Sequence, residues 1–511
     1  MRKIFSLILI LGFQTLISQD LKVNIGNEIK GAGGYSKVVN YEDGIVLAGF
    51  HSNKSGIYIE SFSKEGVSKY LYKRKKVEDG FSYEPAFNEL KGWVDGSEDP
   101  RNFYVSKDHF LKVSLGRSGN KSQLKAFLIN KGDLSLFKSI TLAEASKERG
   151  WSIPFQNKYY AFTYKIDFVN KRLIVASFDD FDNQKSDMTV KVFNYELQLL
   201  NSYKGENPFL FKSTSFIDLA YSSNGVALVL KGKPAKGKDY EFSTLLFKET
   251  PRKLKKQWNE NQIIIQKVDF VNDDRLLIWG KKIRKNGKVN ILESEYFQEI
   301  DFTNGELMNE FIYEFSEDES KLINGEKVNF EASEYIAKQI IVLPNGELGF
   351  ISERSYFSFE ANAVFRSTYN LILTVLKSDG SLKFRKIIEK GQSTGPFMDY
   401  CSYGLLMNYE SIFIIFNDSK KNYNDGVFQK GQKVVSYDLK KKKNAVVAYE
   451  KVSIKDGSSE RKVLIENDEM PLGVLPSGIA FRFVINSSNT FLNSYFISGL
   501  RKTVPVIIEL N

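Results

Sequence analysis

One pattern recurs along the whole chain: an apolar alternating segment, a tight turn built on Gly, Asn or Asp, and a second apolar alternating segment. Its clearest copies are VVNYEDGIVLAGF (38–50), IDFVNKRLIVAS (166–177), AYSSNGVALVLKG (220–232), VDFVNDDRLLIWG (268–280), IIVLPNGELGFIS (340–352) and GVLPSGIAFRFV (473–484). Alternation with period two puts successive side chains on opposite faces of a strand, and Gly or Asn accepts the positive φ of a tight turn. Each copy therefore reads as a β-hairpin. Two fragments repeat almost verbatim, DFVN at 167–170 and 269–272, and VLPNG at 342–346 against VLPSG at 474–478. Weaker copies lie near 102–115 and 404–417.

A second hairpin follows each first one, as at 58–73, 126–140, 299–315, 372–388 and 434–450. Two hairpins make a four-stranded antiparallel unit, A to D. First turns near 43, 107, 170, 224, 273, 345, 409 and 477 count eight such units. The expectation is an all-β fold, a β-propeller of four-stranded antiparallel blades, eight by this count. Seven blades plus a separate β-element, or two stacked sandwiches, are the competing readings. An aromatic content of 14% suits strands. Helical patterns are scarce, and SEYIAKQII (333–341) and LAEASKERG (142–150) are the two that invite the reading.

The chain opens MRKIFSLILILGFQTLISQD, with Arg2 and Lys3 ahead of an apolar run over 4–17 and the small Ser18 after it. That is the layout of a secretory signal, and the run is too short to span a bilayer as a helix. The domain organisation expected is a signal peptide over 1–18 and a single β-propeller domain over 19–511. The protein is expected to be exported, periplasmic or extracellular, with no transmembrane segment. With only 2 His and 1 Cys, a zinc site, an iron–sulfur cluster and a disulfide framework are excluded, and no cofactor is called for. Cys401 reads as a small buried hydrophobe. On these repeats and this leader the chain resembles the β-propellers of bacterial envelope proteins over nearly its whole length after residue 18. The resemblance is general and carries no catalytic residue with it.

In such a blade the A–B and C–D turns share one end, and the B–C and D–A connections share the other. The A–B and C–D turns here are short. Length varies in the B–C segments 51–56, 178–187, 231–241, 352–368 and 417–433, and in the D–A segments 77–102 and 142–158. Irregular loops on a regular scaffold are where binding concentrates. The binding residues expected there are Trp93, Trp151, Tyr356, Phe357, Tyr423 and His51, with Phe81, Tyr83 and Trp258 beside them, an aromatic surface for a protein partner or a glycan. Polar groups gather at the ends of the B strands, among them Arg117, Lys231, Lys281 and Asn486. The reading this supports is a non-catalytic binding or scaffold module of the bacterial envelope.

The alternative is a carbohydrate-active hydrolase or lyase, with Glu353 and Asp418 as its paired carboxylates. Asp179, Asp180 and Asp182 are a weak candidate for Ca²⁺, without the glycine and terminal glutamate of an EF-hand. The net charge of +10 is spread over KRKK (73–76), RKLKK (252–256), KKIRKNGK (281–288) and KKKK (440–443), the last placed in a C–D turn. Such a distribution fits weak attraction to an anionic envelope surface better than a nucleic-acid face, so no nucleic-acid partner is expected. Sequence alone leaves the oligomeric state open.

Overall fold

The structure, a computed structural model, describes residues 161–394 and 401–466 with short breaks and, within 21–146 and 490–510, chiefly the strands. The architecture is all-β and of the β-propeller type. Eight sheets of four or more strands are present among the described residues, antiparallel except for one short parallel pairing of Gln392–Thr394 with Tyr437–Asp438. Two compact units divide the chain, one made of Met1–Gly49, Ile59–Leu71 and Gln392–Asn511, the other of Phe50–Tyr58 and Tyr72–Gly391.

The first strand, β1 (Leu21–Ile25), precedes a first sheet within 35–72 and a second within 103–146. The third sheet is β2 (Phe162–Asp167), β3 (Arg172–Phe178), β4 (Asp187–Asn194) and β5 (Leu199–Glu206). The fourth is β6 (Ser215–Ser222), β7 (Gly225–Gly232) and β8 (Glu241–Phe247), completed by the short pieces Arg252–Lys253 and Trp258–Asn259. The fifth is β9 (Ile263–Asn272), β10 (Arg275–Asn286), β11 (Val289–Asp301) and β12 (Glu306–Glu314), followed by helix α1 (Glu317–Asn324). The sixth is β13 (Tyr335–Val342), β14 (Leu348–Glu360), β15 (Ala363–Leu376) and β16 (Leu382–Ile388). In the seventh, β17 (Gly404–Met407) and β18 (Ser411–Ser419) are followed by a miniature hairpin, β19 (Tyr423–Asn424) and β20 (Val427–Phe428). Its outer strands are β21 (Ala445–Ser453) and β22 (Ser459–Ile465). The last strands are β23 (Thr490–Ile497) and β24 (Lys502–Leu510).

Within the larger unit the sheets pack face on face, and the period of two decides which neighbour each residue meets. On β3, Leu173 and Val175 join Leu111, Leu124 and Leu128 of the second sheet. Ile174 and Ala176 turn the other way, to Val226, Leu228 and Leu230 of the fourth. The same division holds on β10: Leu276 and Ile278 meet Ala227 and Val229, while Leu277 and Trp279 meet Leu348 and Phe350. Middle strands are thus apolar on both faces, and outermost ones such as β5 are largely exposed. That gradient is why the second strand of each repeat stands out as a continuous apolar run.

A first strand has a sheet partner on one edge only. Its other edge is met by side chains from the first strand of the preceding sheet. Lys165 on β2 donates to the Leu219 carbonyl on β6 (2.7 Å). Asp218 on β6 accepts from the Val268 N–H on β9 (3.1 Å). Gln266 on β9 donates to the Tyr335 carbonyl (2.6 Å) and accepts from the Ala337 N–H (2.9 Å), both on β13. A β-bulge near the start of each of these acceptor strands leaves one residue over, with register breaks at Phe216/Asp218, Ile265/Lys267 and Ala337/Gln339. The sheet at 35–72 breaks in the same way at Tyr35/Lys37. Burial pulls the Asp218 carboxyl upward, but Lys165 at 3.9 Å, Lys267 at 3.8 Å and the backbone donors outweigh it and hold it below its usual value.

In the smaller unit the seventh sheet has the order β17-β18-β21-β22, and β20 and β19 extend it beyond β22. The chain's first strand pairs with its last, Leu21 opposite Leu510 and Ile25 opposite Val506. The expected hairpin at 473–484 lies outside the described residues, and β23 pairs with β24 after it.

Three expectations are corrected. The segment 333–341 falls largely in strand β13, and 142–146 ends a strand, Leu136–Ser146, because apolar spacing in short runs does not separate helix from strand. The α-helix among the described residues is α1, and its signal was the capping box Ser316-x-x-Glu319: the Ser316 N–H donates to Glu319 (2.8 Å) and the Glu319 N–H to Ser316 Oγ (3.3 Å). The hairpin read at 434–450 is instead β21–β22, turning at Gly457 with φ 73°. By chain order KKKK (440–443) therefore belongs to the B–C connection, and the run itself lies outside the described residues. Replacement of Gln266 by Leu leaves the Tyr335 carbonyl and the Ala337 N–H unmatched. Equilibrium urea unfolding should register a loss of about 1–3 kcal/mol, with Gln266→Glu intermediate because it keeps the acceptor.

Candidate functional site

The fifth and sixth sheets, both in the larger unit, send their second-to-third hairpins well past the rest of the sheet. β9 pairs with β10 only as far as Lys282, whereas β10 and β11 stay paired to Asn286 and Val289. β13 pairs with β14 as far as Arg354, whereas β14 and β15 continue to Glu360 and Ala363. The segment 352–368, expected as a loop, is thus the paired part of a long hairpin, which its Tyr, Phe, Val and Thr content favours. Each arm has a bulge at its root, between Lys282 and Ile283 and between Glu353 and Ser355. Bulges re-aim side chains, and here they set Glu293 between Lys282 (3.4 Å) and Arg284 (3.5 Å), and turn Arg354 onto Glu334 (2.8 Å).

Between the roots lies a line of buried ions. Lys281 is fully buried, donates to Ser352 Oγ (2.9 Å) and stands 3.7 Å from Glu295. Glu295 accepts from the Thr374 hydroxyl and lies 3.5 Å from Arg385 Nε. Arg385 in turn donates to the carbonyls of Glu314 (3.1 Å) and Tyr313 (2.9 Å) and to Glu319 (3.2 Å) at the start of α1. The far end of α1 touches both arms. Asn324 exchanges hydrogen bonds with the backbone of Leu292 on β11 (3.2 and 3.1 Å), and Asn370 on β15 donates to the Leu322 carbonyl (3.0 Å). Ile323 closes the gap against Ile283, Leu292, Tyr335 and Ile372.

Glu353 is fully buried as well, 2.7 Å from Lys390, itself buried, and 3.4 Å from Lys338. Beyond it the second arm presents Tyr356, 36% exposed, parallel to Tyr369 within 4° at 6.1 Å between ring centres. The Arg354 guanidinium lies 4.8 Å from the Tyr369 ring. Phe357 is on β14 in register with Arg366, and its side chain lies outside the described residues.

Asp418 and Tyr423 belong to the smaller unit, in the seventh sheet. The buried Asp418 accepts from Asn422 (2.7 Å), from the Tyr423 hydroxyl (2.8 Å) and from the Ser419 N–H (2.8 Å), with Arg461 at 3.5 Å. Burial raises its carboxyl above the usual range against the pull of Arg461 and these donors. Burial, with Asp418 next to it, also pushes the Tyr423 hydroxyl well above its ordinary value. Arg461 pairs with Glu450 (2.7 Å) and covers the Phe428 ring at 3.9 Å. Asp418 thereby ties the β19–β20 insert to the sheet. The turn of that insert, Asp425 (φ 48°) and Gly426 (φ 78°), is one the sequence NDG announces.

Glu353 and Asp418 therefore fall in different units, each inside its own ion-pair network. Trp258, expected on the aromatic surface, is a core residue, 2% exposed, whose Nε1 donates to the Tyr296 hydroxyl (2.8 Å). It is buried because Trp258–Asn259 completes the fourth sheet against β8. His51, Trp93, Trp151, Asp179, Asp180 and Asp182 lie outside the described residues. The described residues hold no cluster of three His, Cys, Asp or Glu side chains suited to a metal, and no helix long and apolar enough to cross a membrane. What sequence reasoning missed is the paired arms with α1 between them; the alternation through 352–368 was the available signal.

Burial brings the Lys281 ammonium down to about 8 from 10.5, with Glu295 opposing and Arg385 adding to the shift. The unfolded chain then keeps this proton at pH values where the folded one has released it. The contribution is full above 10.5 and is lost as pH falls through about 8. Urea midpoints measured across that window should rise more steeply with pH in the natural protein than in Lys281→Met.

No protein-family model and no curated protein matches the chain. Among solved structures it is similar to the β-propeller domain of the Trilobed protease from Pyrococcus furiosus, at 11% identity and TM-score 0.34 over 89% of this chain and 100% of that one. It is also similar to the polysaccharide lyase Uly1, at 10% identity and TM-score 0.37 over 96% and 100%. An uncharacterized protein from Listeria monocytogenes EGD-e matches at 9% identity and TM-score 0.33 over 79% and 91%.

Proposed function

We propose that this protein is an exported, non-catalytic β-propeller that serves as a binding or scaffold module of the bacterial envelope. It engages a protein partner or a glycan through the ends of its sheets that carry the B–C and D–A connections. The observation that carries this reading is the division of labour at those ends. The carboxylates best placed by sequence for catalysis, Glu353 and Asp418, are buried and hold neighbouring segments in position. The group turned to solvent beside Glu353 is an aromatic one, Tyr356, backed by Tyr369 and Arg354. A general acid or nucleophile has to reach its substrate, whereas a rigid, part-exposed tyrosine gives contact area at small entropic cost.

The test uses the full chain expressed in its native envelope, with capture of protein partners and a panel of defined glycans. Tyr356→Ala is expected to weaken capture of the bound component by about threefold to tenfold, the worth of one aromatic contact. Unchanged capture of every component, or turnover of a polysaccharide that Glu353→Gln abolishes, would overturn the reading. Export is checked separately: N-terminal sequencing of the envelope-fraction protein should start at Gln19.

A further inference from the structure

We propose that the two arms of the fifth and sixth sheets form a single site for an acidic polysaccharide, a chain of sugar rings bearing carboxylate or sulfate groups. The proposal rests on the binding reading above and names the ligand class. The first arm is cationic. Arg284 is 63% exposed, Lys282 is 37% exposed, and Lys285 beyond them is exposed too. One carboxylate, Glu293, is ion-paired with both Lys282 and Arg284, at 3.4 and 3.5 Å. One negative charge set against two positive ones leaves the group net cationic, and a guanidinium this exposed keeps donors for an incoming anion. Lys285 adds a third positive charge with no acid beside it among the described residues.

The second arm is aromatic. Tyr356 lies parallel to Tyr369 with ring centres 6.1 Å apart, and the Arg354 guanidinium, itself bonded to Glu334, stands 4.8 Å from the Tyr369 ring. A flat, part-exposed tyrosine offers a sugar ring both an apolar face and a polar rim. The two arms share roots. Lys281 bonds Ser352 across the seam, and α1 is hydrogen-bonded to Leu292 of the first arm and Asn370 of the second. Roots held in this way lower the ordering cost of association at Lys282, Arg284 and Tyr356. Charge and ring stacking also suit single-stranded nucleic acid, and the experiment separates the two.

The full chain is titrated calorimetrically with alginate oligosaccharide, a polyuronate, with dextran, a neutral glucan, and with a single-stranded oligonucleotide. Alginate is expected to bind, dextran is not, and high salt should raise the alginate Kd by about tenfold or more, as for any contact carried by exposed charge. The double variant Arg284→Glu/Lys285→Glu should lose about tenfold in affinity while its unfolding midpoint stays put, since both side chains are exposed. Tyr356→Ala should cost about threefold to tenfold. Equal binding of dextran, an oligonucleotide that outcompetes alginate, or full affinity in the double variant would each overturn the proposal. Absence of any glycan binding overturns it too, but it leaves the broader binding reading standing wherever Tyr356→Ala still weakens capture of a protein partner.

Discussion

The structure of the larger unit depends on how the first strand of each sheet is finished. A strand with one unpaired edge leaves its N–H and C=O groups without partners, and buried groups of that kind are expensive. Here the preceding sheet supplies the partners: the Lys165 ammonium, the Asp218 carboxylate and the Gln266 amide each reach the backbone of the next first strand. These bonds fix height as well as contact. Face-to-face apolar packing tolerates sliding, but a hydrogen bond from one side chain to one carbonyl does not. Once the first strands are set level, the alternation of Leu173 with Ile174 and of Leu277 with Ile278 delivers every side chain to the correct neighbour.

The seam between the fifth and sixth sheets departs from the others. It begins apolar, around Trp279, Phe297 and Phe350, turns ionic at Lys281, Glu295 and Arg385, and ends apolar again at Ile283, Leu292 and Ile323. Charges taken out of water give little net stability even when paired, and what they supply is direction. Arg385 alone engages Tyr313, Glu314 and Glu319, which fixes where β12 ends and where α1 starts. A helix placed so firmly becomes the spacer between two projecting hairpins. Asp418 does the equivalent service for the insert of the seventh sheet, through Asn422 and Tyr423.

Much of the architecture was legible because its determinants are local. The repeated DFVN and VLPNG fragments announce hairpins through backbone preference, and the doubling of hairpins gives the four-stranded unit, whereas the hairpin turning at Asp425-Gly426 lay inside a segment read as loop. What stayed hidden depends on partners distant in sequence. The bulges at Asp218, Lys267 and Gln339 have no residue signature, since the extra residue is Ile217, Gln266 or Lys338. Trp258 reads as a loop aromatic until the fourth sheet is seen to lack a continuous outer strand, which leaves Phe242 and Tyr296 to enclose it. Glu353 and Asp418 read as a pair from their places in the repeat, yet each is claimed by cations, Lys390 and Arg461, that no spacing rule links to them. In the candidate site, the aromatic Tyr356 was visible as a residue type, whereas the helix that anchors its arm was not.

The pairing of β1 with β24 carries a consequence for how the molecule comes into being. Leu21 faces Leu510, so the hydrogen bonds of Leu21–Ile25 become available only once a strand far along the sequence has been made. Joining such remote segments costs loop-closure entropy that grows only slowly with separation, so the delay is one of time more than of energy. During that interval the N-terminal strand is a bare β-edge, the kind of surface that recruits stray strands. Whatever shields that edge, a chaperone or prompt formation of β24, has its task concentrated on those few residues.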